Sequence, residues 1–157
     1  MEMGSTTGIA LVWAGVLAAA MILYGIVFRI TKVHYSSRWS WGFYILPPAA
    51  ALWVQLRYGG EAFGPDIALA AMVIGTGCVT YGLFVFAYNR FVDDSLIRQV
   101  VADRLKRLEE RSTDPEKLAR STARLKRFEH PAPFAASVTL SLIVVSMVIA
   151  TMASLLI

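Results

Sequence analysis

A chain of 157 residues, 57% of them hydrophobic, with a mean hydropathy of +0.57, carries more apolar surface than a soluble domain of that size can bury, and this places it among integral membrane proteins. Its formal charge of +4 does not make it a nucleic-acid binder, because bases alternate with acids and gather at the ends of apolar runs, the distribution that orients a membrane protein. The single cysteine, Cys78, excludes an intrachain disulfide and a cysteine metal cluster.

In the first apolar run Glu2 is the only charge before Arg29. With no basic region ahead of it, the run is expected to be retained as a helix over about 8–30 rather than cleaved as a signal. That length crosses the ~30 Å hydrocarbon core at ~1.5 Å per residue. Ala10, Ala14 and Ala18 recur every fourth residue beside Gly15 and Ala19, and such a face lets another backbone approach. Arg29, Lys32, His34 and Arg38, followed by Trp39, Trp41 and Tyr44, form a basic and aromatic border at the membrane surface.

The second crossing is predicted at about 40–57. Pro47 and Pro48 remove two amide donors from it, so a kink or break is expected there. Arg57 to Asp66 reads as a loop, with Gly59, Gly60, Gly64 and Pro65 as breakers. Asp66 is placed to complement the positive end of a third helix over 66–89, slimmed by Gly75, Gly77, Cys78 and Gly82. A fourth helix over 133–157 repeats small residues at Ser137 and Ser141, and again at Ser146, Ala150 and Ser154.

Between the third and fourth crossings, residues 91–130 hold most of the charge. Leu96, Ile97, Val100, Val101, Leu105 and Leu108 recur at three- and four-residue spacings among Arg98, Asp103, Lys106, Arg107 and Glu110, which predicts an amphipathic helix. Asp93, Asp94 and Ser95 are its capping candidates, and Ser112 and Thr113 mark its end. Asp114-Pro115-Glu116 opens a second helix with Leu118, Ala119, Thr122, Leu125 and Phe128 along one side. His130-Pro131-Ala132-Pro133 stops it. Exposed pairs such as Glu116 with Arg120 or Asp103 with Arg107 add ~0.5 kcal/mol each.

The fold expected is therefore all-α: a single membrane domain over 1–157, with four transmembrane helices and an amphipathic cytoplasmic hairpin between the third and fourth. Fourteen of the fifteen basic residues lie in the connections after helices one and three, and only Arg57 follows helix two. This puts the hairpin in the cytoplasm and both termini outside.

Gly59-Gly60-Glu61-Ala62-Phe63-Gly64, Tyr88-Asn89-Arg90-Phe91, Arg127-Phe128-Glu129-His130-Pro131 and the small-residue fourth helix together resemble the bacterial family catalogued as domain of unknown function 4199. The chain departs from that pattern at Val92-Asp93-Asp94-Ser95, where an asparagine-proline pair is usual, and at Pro47-Pro48. The resemblance implies a four-helix protein of the bacterial inner membrane and brings no catalytic residue.

Catalytic chemistry is not legible. No nucleophile elbow, P-loop, zinc-protease or dinucleotide motif occurs, and no catalytic, cofactor-binding or metal-ligating set can be named. His34 and His130 are the only histidines, and interfacial hydrogen bonding accounts for them better than metal or haem ligation. The predicted crossings lack the internal ionisable groups of proton-coupled carriers. Two readings remain. One is a non-catalytic auxiliary or structural subunit, docking through Leu96, Val100, Leu105, Leu108, Leu118, Leu125 and Phe128 to a protein partner, with anionic lipid as a further contact. The other is a small homo-oligomeric channel or carrier built on the proline-bearing second and glycine-rich third helices. Helix packing would use Ala14, Ala18, Gly75, Gly82, Ser141 and Ala150.

Overall fold

A computed structural model describes residues 3–31, 38–59, 63–111 and 115–155. Among these, all regular structure is helical: α1 (Met3–Ile30), α2 (Gly42–Tyr58), α3 (Phe63–Phe91), α4 (Ser95–Arg111), α5 (Pro115–Lys126) and α6 (Pro131–Ser154). A 3₁₀ turn, Arg38–Trp41, leads into α2, and another, Arg127–Glu129, follows α5. Three helical stretches, Thr6–Ile30, Phe63–Phe91 and Pro131–Ser154, are long and apolar enough to cross a membrane.

Contacts divide the chain into two compact units, Met1–Tyr81 with Thr139–Ile157, and Gly82–Val138. In the first, α1 packs on α2. The alanine stripe of α1 is real and longer than the alanines: Ala10, Ala14, Leu17, Ala18, Met21 and Phe28 are all buried, following the turn of the helix. Gly15 and Ala19, beside it, are exposed. One continuous helix passes through Pro47 and Pro48, both buried, so the chain is not broken there. Proline's fixed φ is itself helical, and each ring removes one amide donor from the ladder.

The connection expected as a loop up to Asp66 is shorter than its composition suggests. α2 keeps Arg57 and Tyr58, and α3 already begins at Phe63, with Gly64 and Pro65 inside its first turn and Asp66 as the acid of that turn. The first amides of a helix have no intrahelical acceptor, so proline is tolerated there and breaks nothing. Gly60, Glu61 and Ala62 lie outside the described residues.

In the second unit α4 touches α5, and the Arg127–Glu129 turn touches both. Ile97, Val100 and Val101 of α4 are buried, as are Val85, Asn89, Phe134 and Ala135. Asp93 serves the start of α4, its Oδ1 accepting from the Ser95 amide at 2.8 Å and its Oδ2 from the Ser95 hydroxyl at 2.7 Å, while Asp94 pairs with Arg98. Ser112, Thr113 and Asp114, expected to end one helix and cap the next, are outside the described residues. At the other end His130 is extended (φ −82°, ψ 137°), and Pro131 opens α6, as the residue before a proline requires.

Candidate functional site

The polar group that ties the first unit together is Gln55. The last turns of α2 carry its side chain inward, where it is buried. Its Nε2 donates to the backbone carbonyl of Asp66 in the first turn of α3 at 3.0 Å and to Ser154 Oγ at the end of α6 at 3.0 Å. Ser154 in turn donates to the Ala150 carbonyl at 2.7 Å. A buried amide left without partners costs several kcal/mol in an apolar medium, so this arrangement fixes three helix ends rather than holding a vacant ligand site. Gly59 finishes the clasp: its amide donates to the Gln55 carbonyl at 2.8 Å, and a Cβ there would lie 2.3 Å from that oxygen and 3.0 Å from Asp66 Oδ1.

A second cluster joins α1, α2 and α3. The Phe43 ring meets Tyr24 edge-on (centroids 4.8 Å, 73°), Phe28 edge-on (5.8 Å, 71°) and Tyr81 in a stack (5.6 Å, 29°). Such geometries add about 0.5–1.5 kcal/mol per pair beyond area burial. Glycine makes room for them. A Cβ on Gly42 would sit 2.5 Å from the Tyr24 hydroxyl oxygen, and one on Gly25 would touch Tyr81 at 3.4 Å. Elsewhere in the unit Leu17 fills the space of a missing side chain at Gly77, where a Cβ would lie 2.7 Å from its Cδ2.

Of the residues singled out for helix packing, Ala14, Ala18 and Ala150 are buried, and so is Gly82. Gly75 is half-buried and faces open space, and the close approach is made at Gly77 instead. Ser141 is exposed. The buried line of α6 runs through Leu142, Ser146 and Ala150, one residue, or about 100°, away from the phase that Ser137 and Ser141 define.

The amphipathic stripe is placed in a graded way. Val100 is buried, whereas Leu96, Leu105, Leu108, Leu118, Leu125 and Phe128 are each only half-buried. Ala119 is exposed. The Glu116–Arg120 pair forms, with both side chains about three-quarters exposed.

Catalytic chemistry gains no residue set. Among the described residues no group of three or more His, Cys, Asp and Glu could hold a metal ion. Cys78 is fully buried, His130 is exposed, and His34 is outside the described residues. Sequence reasoning missed the ring cluster and, among the buried polar atoms that make no hydrogen bond in the described residues, Asn89 Oδ1 and Ser146 Oγ. The pairing of Gly25 and Gly42 with nearby aromatic residues was the available signal for the first. No protein-family model, curated protein or solved structure matches the chain.

Proposed function

We propose that this chain is a non-catalytic protein of the bacterial inner membrane that crosses the bilayer four times and serves as an auxiliary or structural subunit of a larger assembly. The fourth crossing is α2. Its 17 residues with the four of the preceding 3₁₀ turn extend up to roughly 33 Å, against ~30 Å of hydrocarbon. Trp41, Ile45, Trp53 and Leu56 are all more than half exposed and recur along one face, where lipid would cover them. The count of bases then sets the α4–α5 segment as a cytoplasmic hairpin with both termini outside.

The observation that carries the docking role is the half-buried leucine stripe of α4 and α5, which stays partly open although the two helices touch. A partner helix or a second copy would complete its burial. The family resemblance is compatible with this role and supplies no activity.

Gentle detergent extraction from native membranes tests the reading. The chain should elute with a partner or with copies of itself, and Leu105→Glu with Leu125→Glu should abolish that association while leaving membrane insertion intact. A monomer with no co-purifying protein would overturn it.

A further inference from the structure

On α5 and the turn after it, Arg120, Arg124 and Arg127 recur at spacings of four and three, all exposed. At about 100° per residue they stand roughly 100–180° round the helix from the half-buried Leu118 and Leu125. Exposed cations gathered on one side of a helix that borders a bilayer are the pattern of attachment to anionic headgroups, and here that side is separate from the leucine line left to a partner. α4 repeats the pattern with exposed Arg104 and Arg107 beside half-buried Leu105 and Leu108.

The acids do not cancel this face. Glu116 pairs with Arg120, with both side chains exposed, a weak pair that leaves guanidinium donors to solvent. Glu109, Glu110 and Glu129 are exposed and Asp103 half-buried, yet between Ser95 and His130 ten bases stand against six acids. The covalent geometry keeps the segment near a membrane. α4 starts at Ser95, soon after α3 ends at Phe91, and α6 starts at Pro131, directly after His130. The short tethers hold the start of α4 and the end of α5, where Arg124 and Arg127 lie, at the surface from which α3 and α6 emerge. Phe91 and Val92, in the first tether, are 78% and 69% exposed and suit the acyl boundary.

We infer that Arg120, Arg124 and Arg127, seconded by Arg104 and Arg107, bind the anionic phospholipid headgroups of the leaflet bordering the α4–α5 segment. This rests on the membrane-crossing reading above. It adds to that reading a ligand class and a surface distinct from the leucine stripe. Each cation at an anionic surface strengthens attachment about fivefold, and the effect decays within a Debye length.

The test uses the full chain in lipid nanodiscs, with amide hydrogen exchange as the readout. In discs of phosphatidylcholine with 30 mol% phosphatidylglycerol, as the design sets, α5 should exchange at least about fivefold more slowly than in pure phosphatidylcholine. The slowing should vanish at high salt and in the Arg120→Gln/Arg124→Gln/Arg127→Gln variant, whose protection at Ile97–Val101 reports an intact fold. Equal exchange in the two lipids would overturn the inference. So would slowing that survives the triple substitution, slowing reproduced by inorganic phosphate over neutral discs, or slowing seen only when extracted membrane proteins are added. Failure of the chain to enter discs at all, read by flotation, would instead remove the membrane reading itself.

Discussion

At the surface of the unit formed by Met1–Tyr81 and Thr139–Ile157 stand residues such as Leu23, Trp53 and Met152, each more than half exposed, around an interior in which Ala10, Ala14, Ala18, Ala51, Ala70 and Ala150 pack among Leu17, Met21, Val54, Leu69, Ile74 and Leu142. In Gly82–Val138 the surface turns charged beyond the exposed Leu83, Phe91 and Val92. Its surface carries exposed Arg98, Arg104, Glu110 and Arg120, and its interior holds branched residues at Ile97, Val100 and Val101. In water the polarity of a side chain selects its face. In hydrocarbon polarity no longer discriminates, so close packing, with small residues where backbones approach, decides which face is inside. On the membrane-crossing reading proposed above, each half of the chain follows the rule of a different solvent.

The sharpest way to break this comparison is to charge the water-type core. Ile97 is fully buried, and an unpaired carboxylate there is among the few changes that cost about 4 kcal/mol or more. Ile97→Asp should open α4 and α5 to trypsin, which has many Lys and Arg targets there, while membrane fractionation stays as in the parent chain. Unchanged cleavage between Ser95 and Glu129 would show that this unit does not depend on the core described.

The lipid-type unit should fail by crowding instead. Gly77→Val places a branched side chain where Leu17 Cδ2 already lies 2.7 Å from a bare Cβ position, and overpacking of this kind costs about 1–3 kcal/mol. Thermal unfolding in detergent should register the loss, and Leu17→Ala in the same chain should restore part of it. The same substitution at Gly75, which meets nothing within 4 Å, should do far less; an equal loss at both sites would undo the size argument.

A smaller effect separates the polar clasp from the apolar contacts. Gln55→Leu removes the donor to the Asp66 carbonyl and to Ser154. Ser154 keeps the Ala150 carbonyl. Interhelical hydrogen bonds in membranes average about 0.6 kcal/mol, with a maximum near 1.7, so a loss of about 1 kcal/mol is expected in the same unfolding assay. No change would mean that Leu packs there as well as the bonded amide.

These differences also explain what could be read from the residues alone. Three long apolar runs and the two amphipathic helices were legible because length and polarity reveal them directly. So was Asp93 near the start of α4, since capping is local. The phase of the packed faces was not. α6 is apolar all round, so small size and the spacing from Ser137 favour Ser141, whereas the structure puts Leu142 inside. Gly75 and Gly77 posed the same choice. The Gln55 clasp joins residues 11 and 99 positions apart, and Phe43 meets rings from two other helices; no local periodicity encodes such meetings. The start of α3 was misplaced because Pro65 reads as a breaker, although in a first turn it is a helix residue like any other.

The smallest effect lies on the charged surface, where the comparison predicts near silence. Glu116 and Arg120 form an i, i+4 pair with the acid on the N-terminal side, about three-quarters exposed at both partners. That order suits the helix dipole, and Glu116 also stands in the first turn of α5. In neutral detergent, away from anionic lipid, water solvates both ions almost as well as they solvate each other, so Glu116→Gln should cost about 0.5 kcal/mol or less at low salt. A double-substitution cycle with Arg120→Gln isolates the pair from the dipole contribution, which the glutamine also removes. Raising the salt to about 1 M, where the Debye length is about 3 Å, should shrink even that coupling. A coupling well above 1 kcal/mol, persisting in salt, would mean that the pair is covered by lipid or protein in the working molecule, and that the second unit is less exposed to water than its surface implies.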